Sequence, residues 1–325
     1  MPDWRPTASL ENMKMRARML QGIRAFFVDN EALEVETPIL SAAAITDPQL
    51  ESFSTRFNQQ NYYLHTSPEF YMKRLLASGS GDIYQLARVF RLDELGKYHN
   101  PEFTMLEWYR CGFDHHQLMD EIESLLKVLL DKNTLPVKRL SYQQAFIEAL
   151  QIDPLDASAG LLNECALAHG VEIPQGMNLA DKDMWLDWLM VEKVAASFNK
   201  KGFTFLYNYP ASQAALAKLD EKDPRVANRF ELFYGELELA NGFYELTDAA
   251  EQAARFADEN RLREQRGQKV MPVDYALLHA LESGLPACSG VALGIDRLLM
   301  ILCGAENISQ VTAFARELDS NLENN

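Results

Sequence analysis

Cysteine is scarce in this chain: four in 325 residues, Cys111, Cys165, Cys288 and Cys303, with no CxxC pair among them. Such scatter argues against a zinc site and against a disulfide scaffold, and it points to ordinary thiols in a reducing, cytoplasmic setting. Long apolar runs are missing too. None approaches the roughly 20 residues that cross a bilayer, and the first residues, MPDWRPTASLENMKMRARML, contain no apolar signal-peptide core. Positive charge is short: 31 Lys and Arg stand against 47 Asp and Glu, a net charge of −16. Nucleic-acid affinity comes largely from cations neutralising phosphates, so an acidic chain is a poor general binder. The densest basic cluster, RLREQRGQK over Arg261–Lys269, carries a glutamate and reads as the end of an amphipathic helix. There is no P-loop GxxxxGK[ST], no GxGxxG after a strand, no sign of a nucleophilic triad, no internal repeat and no Pro- or Gly-rich linker.

What the chain does have is charge placed at the ends of apolar strands. The stretch Phe90–Tyr109, FRLDELGKYHNPEFTMLEWY, follows an apolar run of Ile83, Leu86, Val89 and Phe90. After a polar loop it alternates strictly. Phe103, Met105, Glu107 and Tyr109 fall on one face, and Thr104, Leu106, Trp108 and Arg110 on the other. An antiparallel pair with a long loop puts Arg91 beside Asp93 and Glu107, with His99, Asn100 and Pro101 at the loop tip. Strand pairs rarely spend so many charges on packing, so the stretch reads as functional.

Elsewhere the periodicity predicts a helix over Glu11–Asn30 with Met19, Ile23, Phe26 and Phe27 on one face. A short strand in Leu33–Leu40 is stopped by Pro38, which cannot donate to a central ladder. Tyr62–His65 predicts another strand. Ser67-Pro68-Glu69 predicts a helix start, with Ser67 as N-cap and Pro68 in the first turn. From 114 to about 201 the pattern turns helical, with helices over Tyr142–Leu150, Leu161–His169 and Asp183–Phe198, and His115-His116 reads as surface decoration. Strands return at Phe203–Tyr209 and in a hairpin over Arg229–Thr247. Helices follow at Ala249–Arg266 and Val273–Leu281, with Gly284 as C-cap. A small-residue strand, Ser289–Gly294, runs into a helix over Ile295–Cys303, and the tail after Leu318 reads as frayed. Strands, helices and strands again imply one α+β domain, an antiparallel sheet flanked by helices, with a helical insertion at about 114–201.

Two features of the second half carry chemistry. If Tyr234-Gly235 form the centre of the hairpin turn, Glu231 faces Glu238 directly, and like charges at that spacing repel. Either one acid is protonated, or a cation such as Mg²⁺ sits between them, or both acids splay into solvent. Asn241, Phe243 and Glu245 share the opposite parity, and a bulge near Gly242 would bring all of them to one face. In Gly290–Gly294 the small residues alternate and leave one strand face bare for a ligand. Arg297 then opens a helix, where a cation opposes the helix dipole, so it reads as ligand-directed. Two arginines, a divalent-metal pair and spare acids fit phosphate activation by positioned cations, with acids left to hold an amine.

Taken together these residues resemble the catalytic core of class II aminoacyl-tRNA synthetases, specifically the lysyl-tRNA synthetase branch. Val35-Glu36-Thr37-Pro38 is similar to motif 1, Phe90-Arg91 through Glu107-Trp108-Tyr109 to motif 2, and Gly290 through Gly294-Ile295-Asp296-Arg297 to motif 3. Glu238–Leu246, ELANGFYEL, is similar to the lysine-branch signature. The resemblance implies ATP and Mg²⁺ as cofactors and a homodimer through motif 1. It implies that Arg91 and Arg297 hold the ATP phosphates as the catalytic cations. Leu92, Asp93, His99, Asn100, Glu238, Leu239 and Gly294 would complete the nucleotide site, with Glu231 and Glu238 on the metal. Ser67, Pro68, Glu69, Glu107, Tyr109, Asn241, Phe243, Glu245 and Ala292 would form the pocket for a lysine-like amino acid.

The departures point to the acceptor. Only 37 residues precede Pro38, and one helix accounts for them, where a lysyl-tRNA synthetase carries an anticodon-binding barrel. With that and the acidic charge, tRNA is not expected as acceptor. Stand-alone members of the branch imply instead transfer of an activated (R)-β-lysine to a lysine ε-amine of elongation factor P. The rival readings are a truncated enzyme charging tRNA, an amide ligase with a small-molecule acceptor, and an inactive regulatory paralogue. Ala240 and Ala292 stand where the tRNA-charging branch usually has glycine, and each adds a methyl to the pocket wall, suiting a shifted amino group. Leu92 and Asp93 stand where the family usually shows Asn and Glu, which leaves the adenine contacts open.

Overall fold

The computed structural model describes residues 4–92, 95–131 and 136–315. In chain order its helices are α1 (Leu10–Asp29), α2 (Glu69–Ala77), α3 (His115–Leu129), α4 (Tyr142–Leu150), α5 (Ala159–Ala168), α6 (Lys182–Leu189), α7 (Ala249–Gln265), α8 (Tyr275–Gly284) and α9 (Ile295–Cys303). The strands are β1 (Leu33–Glu34), β2 (Leu40–Ser41), β3 (Ser54–Phe57), β4 (Gln60–Leu64), β5 (Ile83–Phe90), β6 (Glu102–Cys111), β7 (Val137–Ser141), β8 (Phe203–Pro210), β9 (Val226–Tyr234), β10 (Leu237–Tyr244) and β11 (Cys288–Gly294). Eight of them form one sheet in the order β1-β5-β6-β11-β10-β9-β8-β7, and β2-β4-β3 form a small second sheet. The two edge pairings of the large sheet are parallel and the rest are antiparallel.

Alternation decides which face of the sheet is greasy. Leu106 and Trp108 of β6, Phe230 and Leu232 of β9, and Val291 and Leu293 of β11 point into one core under α1, α3 and α9. There Phe27 stacks on Tyr84 at 4.3 Å and meets Trp108 edge-on at 5.4 Å, the offset and edge geometries aromatic rings prefer. All four apolar residues of the predicted stripe in α1, Met19, Ile23, Phe26 and Phe27, are buried. The opposite face carries Glu107, Tyr109 and Gly290, covered by α2, α7 and α8 through Met72, Leu76, Phe256, Leu277 and Leu281. A third core joins α4, α5 and α6 through Phe146, Leu162, Trp185 and Leu189, and rests on Leu206 and Phe233 of the sheet.

Several sequence expectations shift. Leu33–Leu40 is not one strand: β1 and β2 are two residues each and belong to different sheets, with Pro38 between them. The helix after Ser67 begins one residue late, with Pro68 at the cap, while Ser67 Oγ accepts from the Glu69 amide at 3.3 Å. Strand β7 lies inside the stretch expected to be helical, an edge strand whose VKRLS buries only Leu140 and so shows little alternation. Beyond α6 the predicted single helix passes through a π-type turn at Met190–Val194 and a short 3-10 turn. His115 is not surface decoration: it is buried, burial and neighbouring His116 push its pKa down to about 4, and the two rings lie 4.2 Å apart. Gly284 is the last residue of α8 rather than its cap, at φ +109, a left-handed stop. The tail after Leu318 lies outside the described residues.

Candidate active site

Strands β10, β11 and β6 bring the expected residues together in rungs. Asn241, Ala292 and Glu107 share one rung, and Phe243, Gly290 and Tyr109 share the rung two residues along. Paired residues point the same way, so both rungs face one groove. Gly290 has a steric reason to be glycine: a Cβ there would sit 2.6 Å from Glu245 Oε1 and closer still to the Tyr109 ring. The bare face expected along β11 is therefore filled at Gly290 and open at Gly294, where a Cβ would meet nothing nearer than 3.7 Å.

At one end of the groove three carboxylates converge. Glu107 is 2% exposed, and the Tyr109 hydroxyl donates to its Oε1 at 2.8 Å. Its Oε2 is buried and has no hydrogen-bond partner among the described residues. Burial and then Glu69 push the Glu107 carboxyl well above the usual range, against the pull of Tyr109 and Lys73. Glu245 is 1% exposed and is pushed up to about 7 by burial and Glu69, with Lys73 opposing. Lys73 is itself buried on α2, its Nζ 2.5 Å from Glu69 Oε1 and 2.6 Å from Glu245 Oε2. Ser67 and Pro68 shape the start of that helix beside Glu69. Orphaned, proton-holding acids in a dry groove suit a ligand that brings ammonium groups.

The hairpin register differs from the expected one. Tyr234 pairs with Leu237, so Gly235 and Glu236 are the turn residues, and Gly235 at φ +56 supplies the left-handed conformation a two-residue turn needs. Glu238 therefore faces Phe233, and Glu231 faces Asn241. The acids do not stand opposite each other. A bulge lies between Glu238 and Ala240, at Leu239 rather than near Gly242, and it returns Glu238, Asn241 and Phe243 to one face. Glu231 still acts on Glu238: burial and then Glu231 push the Glu238 carboxyl up to about 7, against Arg297, Arg91 and Arg229. Arg229 pairs with Glu231 Oε1, donates to Asn241 Oδ1 at 3.3 Å and lies 4.4 Å from the Tyr209 ring. Among the described residues no group of three His, Cys, Asp or Glu is arranged to hold a metal alone. A divalent cation fits Glu238 and Glu231 as hard oxygen donors, with substrate phosphates and water completing its shell.

At this end of the groove the arginines also gather. Arg297 is held at three points: Nε donates to the Tyr98 carbonyl at 3.2 Å, Nη1 to the Glu238 carbonyl at 2.7 Å, and Nη2 meets His99 Nε2 at 2.6 Å. The guanidinium thus clasps the loop tip between β5 and β6 to the hairpin. Arg91 lies 5.3 Å from the Phe103 ring, and its charge falls on Glu238. The expected company of Arg91 and Glu107 is corrected by this, because Glu107 belongs with Glu69 and Glu245 at the other end. Asn100 is buried and donates to the Glu102 carbonyl at 2.6 Å, a brace for the loop. The amide of Leu92 donates to the Glu51 carbonyl at 2.9 Å, so its N–H is not offered to a nucleotide. Asp93 lies outside the described residues.

Sequence reasoning missed two site residues. Lys73 is four residues after Glu69, the helical spacing of an ion pair, and that spacing was the available signal. Arg229 lies two residues before Glu231 on the same strand face, which places it against the carboxylate.

A largely antiparallel sheet carrying two arginines at one end of its groove and three acids at the other is the arrangement that the resemblance to a class II synthetase core implies. The chain belongs to that family: the model for tRNA synthetases class II (D, K and N) matches residues 1–318. Its similar relatives include a protein of Vibrio vulnificus named elongation factor P–(R)-β-lysine ligase, 49% identical over 96% of this chain and 98% of the relative. A Salmonella arizonae protein of the same name is 50% identical over 96% of this chain and 97% of its own length.

Proposed function

We propose that this protein activates (R)-β-lysine, and α-lysine more weakly, with ATP and transfers it to a lysine ε-amine of elongation factor P. The observation that carries the reading is the group of carboxylates Glu69, Glu107 and Glu245, the last two buried and Glu107 Oε2 unmet, at the far end of the groove from Arg91 and Arg297. The relatives' names point to the same chemistry.

In this reading the acids hold the ammonium groups and leave the substrate carboxylate directed along the strands toward the arginines. Arg91 and Arg297 neutralise the ATP phosphates, so two anions can meet. A carboxylate oxygen attacks the α-phosphorus, the bond to the bridging oxygen breaks, and pyrophosphate leaves. Glu238 and Glu231 would hold Mg²⁺, which supplies charge stabilisation to the phosphates. The acceptor amine, once deprotonated, attacks the acyl carbon and AMP leaves as the amide forms. The protein is read as cytoplasmic and as a homodimer through Val35–Pro38, with tRNA not its acceptor. No helix among the described residues is long and apolar enough to cross a membrane.

The test offers ATP, Mg²⁺ and each lysine isomer together with either elongation factor P or tRNA, and weighs the products. A single lysyl mass increment on elongation factor P, greater with the β-isomer, is expected. An increment on tRNA alone would overturn the reading.

A further inference from the structure

The amino-acid pocket already contains a cation. Lys73 is 2% exposed, and its ammonium lies between Glu69 at 2.5 Å and Glu245 at 2.6 Å. Burial disfavours its charge, but Glu245 and Glu69 together more than offset that and push its pKa above the ordinary lysine value. Burying a lysine is expensive, and a neutral side chain of similar volume would carry no such cost. The groups around it account for the charge of the whole pocket. Glu69 lies on α2, Glu107 and Tyr109 on β6, Glu245 just after β10, and Cys288 on β11, where Glu245 and Lys73 act on it in opposite senses. From α7, Glu259 feels Glu69 and is countered by Arg255.

Resting on the proposed lysine-like substrate, we infer that Lys73 is a specificity-setting positioning residue. It reduces three converging carboxylates to two net negative charges, the complement of an amino acid with two ammonium groups, and it fixes Glu69 and Glu245 in place to receive them. Without Lys73 the acids repel one another and keep their protons to higher pH. With Lys73 the three acids, once ionised, carry two net negative charges, which the two ammonium groups of a diamino acid match and a monoamino acid cannot neutralise. Selection is then set by charge count as well as by shape.

The inference makes a signed prediction for a mutant cycle read by pyrophosphate exchange with α-lysine between pH 6 and 9. K73M should move the acid limb of the KM profile up by about one pH unit, raising KM roughly tenfold at pH 7 with kcat within threefold, because one pKa unit is one factor of ten. K73R, which keeps the charge, should return the limb toward that of the parent. E245Q alone leaves one net negative charge and should raise KM strongly. Adding K73M to E245Q restores two negative charges and should lower KM again. A lysine that only packs the fold would make K73M neutral or harmful in both backgrounds. That result, or an unmoved limb in folded K73M, overturns the inference. Should K73M alone fail to fold, the double variant decides, since it holds one carboxylate fewer in the pocket. An unchanged KM in E245Q would instead overturn the substrate reading itself.

Discussion

Ala292 shares its rung with Asn241 and Glu107, and its methyl stands in the groove beside Met105 and Phe103. Replacing it by glycine removes one methyl from a wall close to the expected amino group. Ala292→Gly should therefore raise the use of α-lysine relative to β-lysine several-fold, and an unchanged ratio in pyrophosphate exchange would count against the pocket. Tyr109 makes a different contribution. Its hydroxyl is the donor that favours the ionised form of Glu107. A hydrogen bond to a charged group contributes about 1.5–3 kcal/mol. Tyr109→Phe should raise KM for the lysine-like substrate by about 10–100-fold at neutral pH with a smaller change in kcat, and steady-state kinetics on both constants checks it.

Elements with strong periodicity were legible from the sequence, and the site was legible where it rode on them. Strand β6 alternates over Glu102–Cys111 because one face meets an apolar core and the other a groove, so the shared face of Glu107 and Tyr109 was legible, though not the partners of Glu107. The hairpin was not, for a reason of counting. Its turn moved by one residue, and the bulge at Leu239 changes every parity after it. No local propensity marks such a bulge, since it depends on what the next strand offers. Strand β7 escaped because a parallel edge strand with one buried residue carries no period. At the start of α9, Asp296 is 2% exposed, accepts from the Thr104 amide at 2.7 Å and pairs with Arg16. It thus joins α1, β6 and α9. Asp296→Ala leaves the Thr104 amide unmet and removes the carboxylate of the half-buried Arg16, and should cost about 1–3 kcal/mol, read as a lowered urea midpoint.

The whole molecule holds protons it would lose on unfolding. Burial pushes Glu238, Glu245 and Glu259 each up to about 7, and Glu107 higher than its usual range. An unfolded glutamate ionises near pH 4.3, so between that value and about 7 the folded chain binds more protons. Stability must then fall as pH rises through this window. The melting temperature of the ligand-free protein should decrease from pH 5.5 to 8, and a lysine-like substrate with Mg²⁺ and ATP should raise it more at pH 8 than at pH 5.5. A ligand-free melting temperature that rises over that range would contradict the proton-holding acids. The rungs themselves have a metric consequence. From the pairing of Gly294 with Met105 to that of Gly290 with Tyr109 is four residues, about 13 Å of strand. The sheet is a ruler whose zero is set by the clasped Arg297 and whose far mark is Glu245. In the proposed reaction the ATP phosphates and the amino acid share that interval, so the room left for the amino acid's carbon chain is gauged by backbone geometry that no single side chain can adjust.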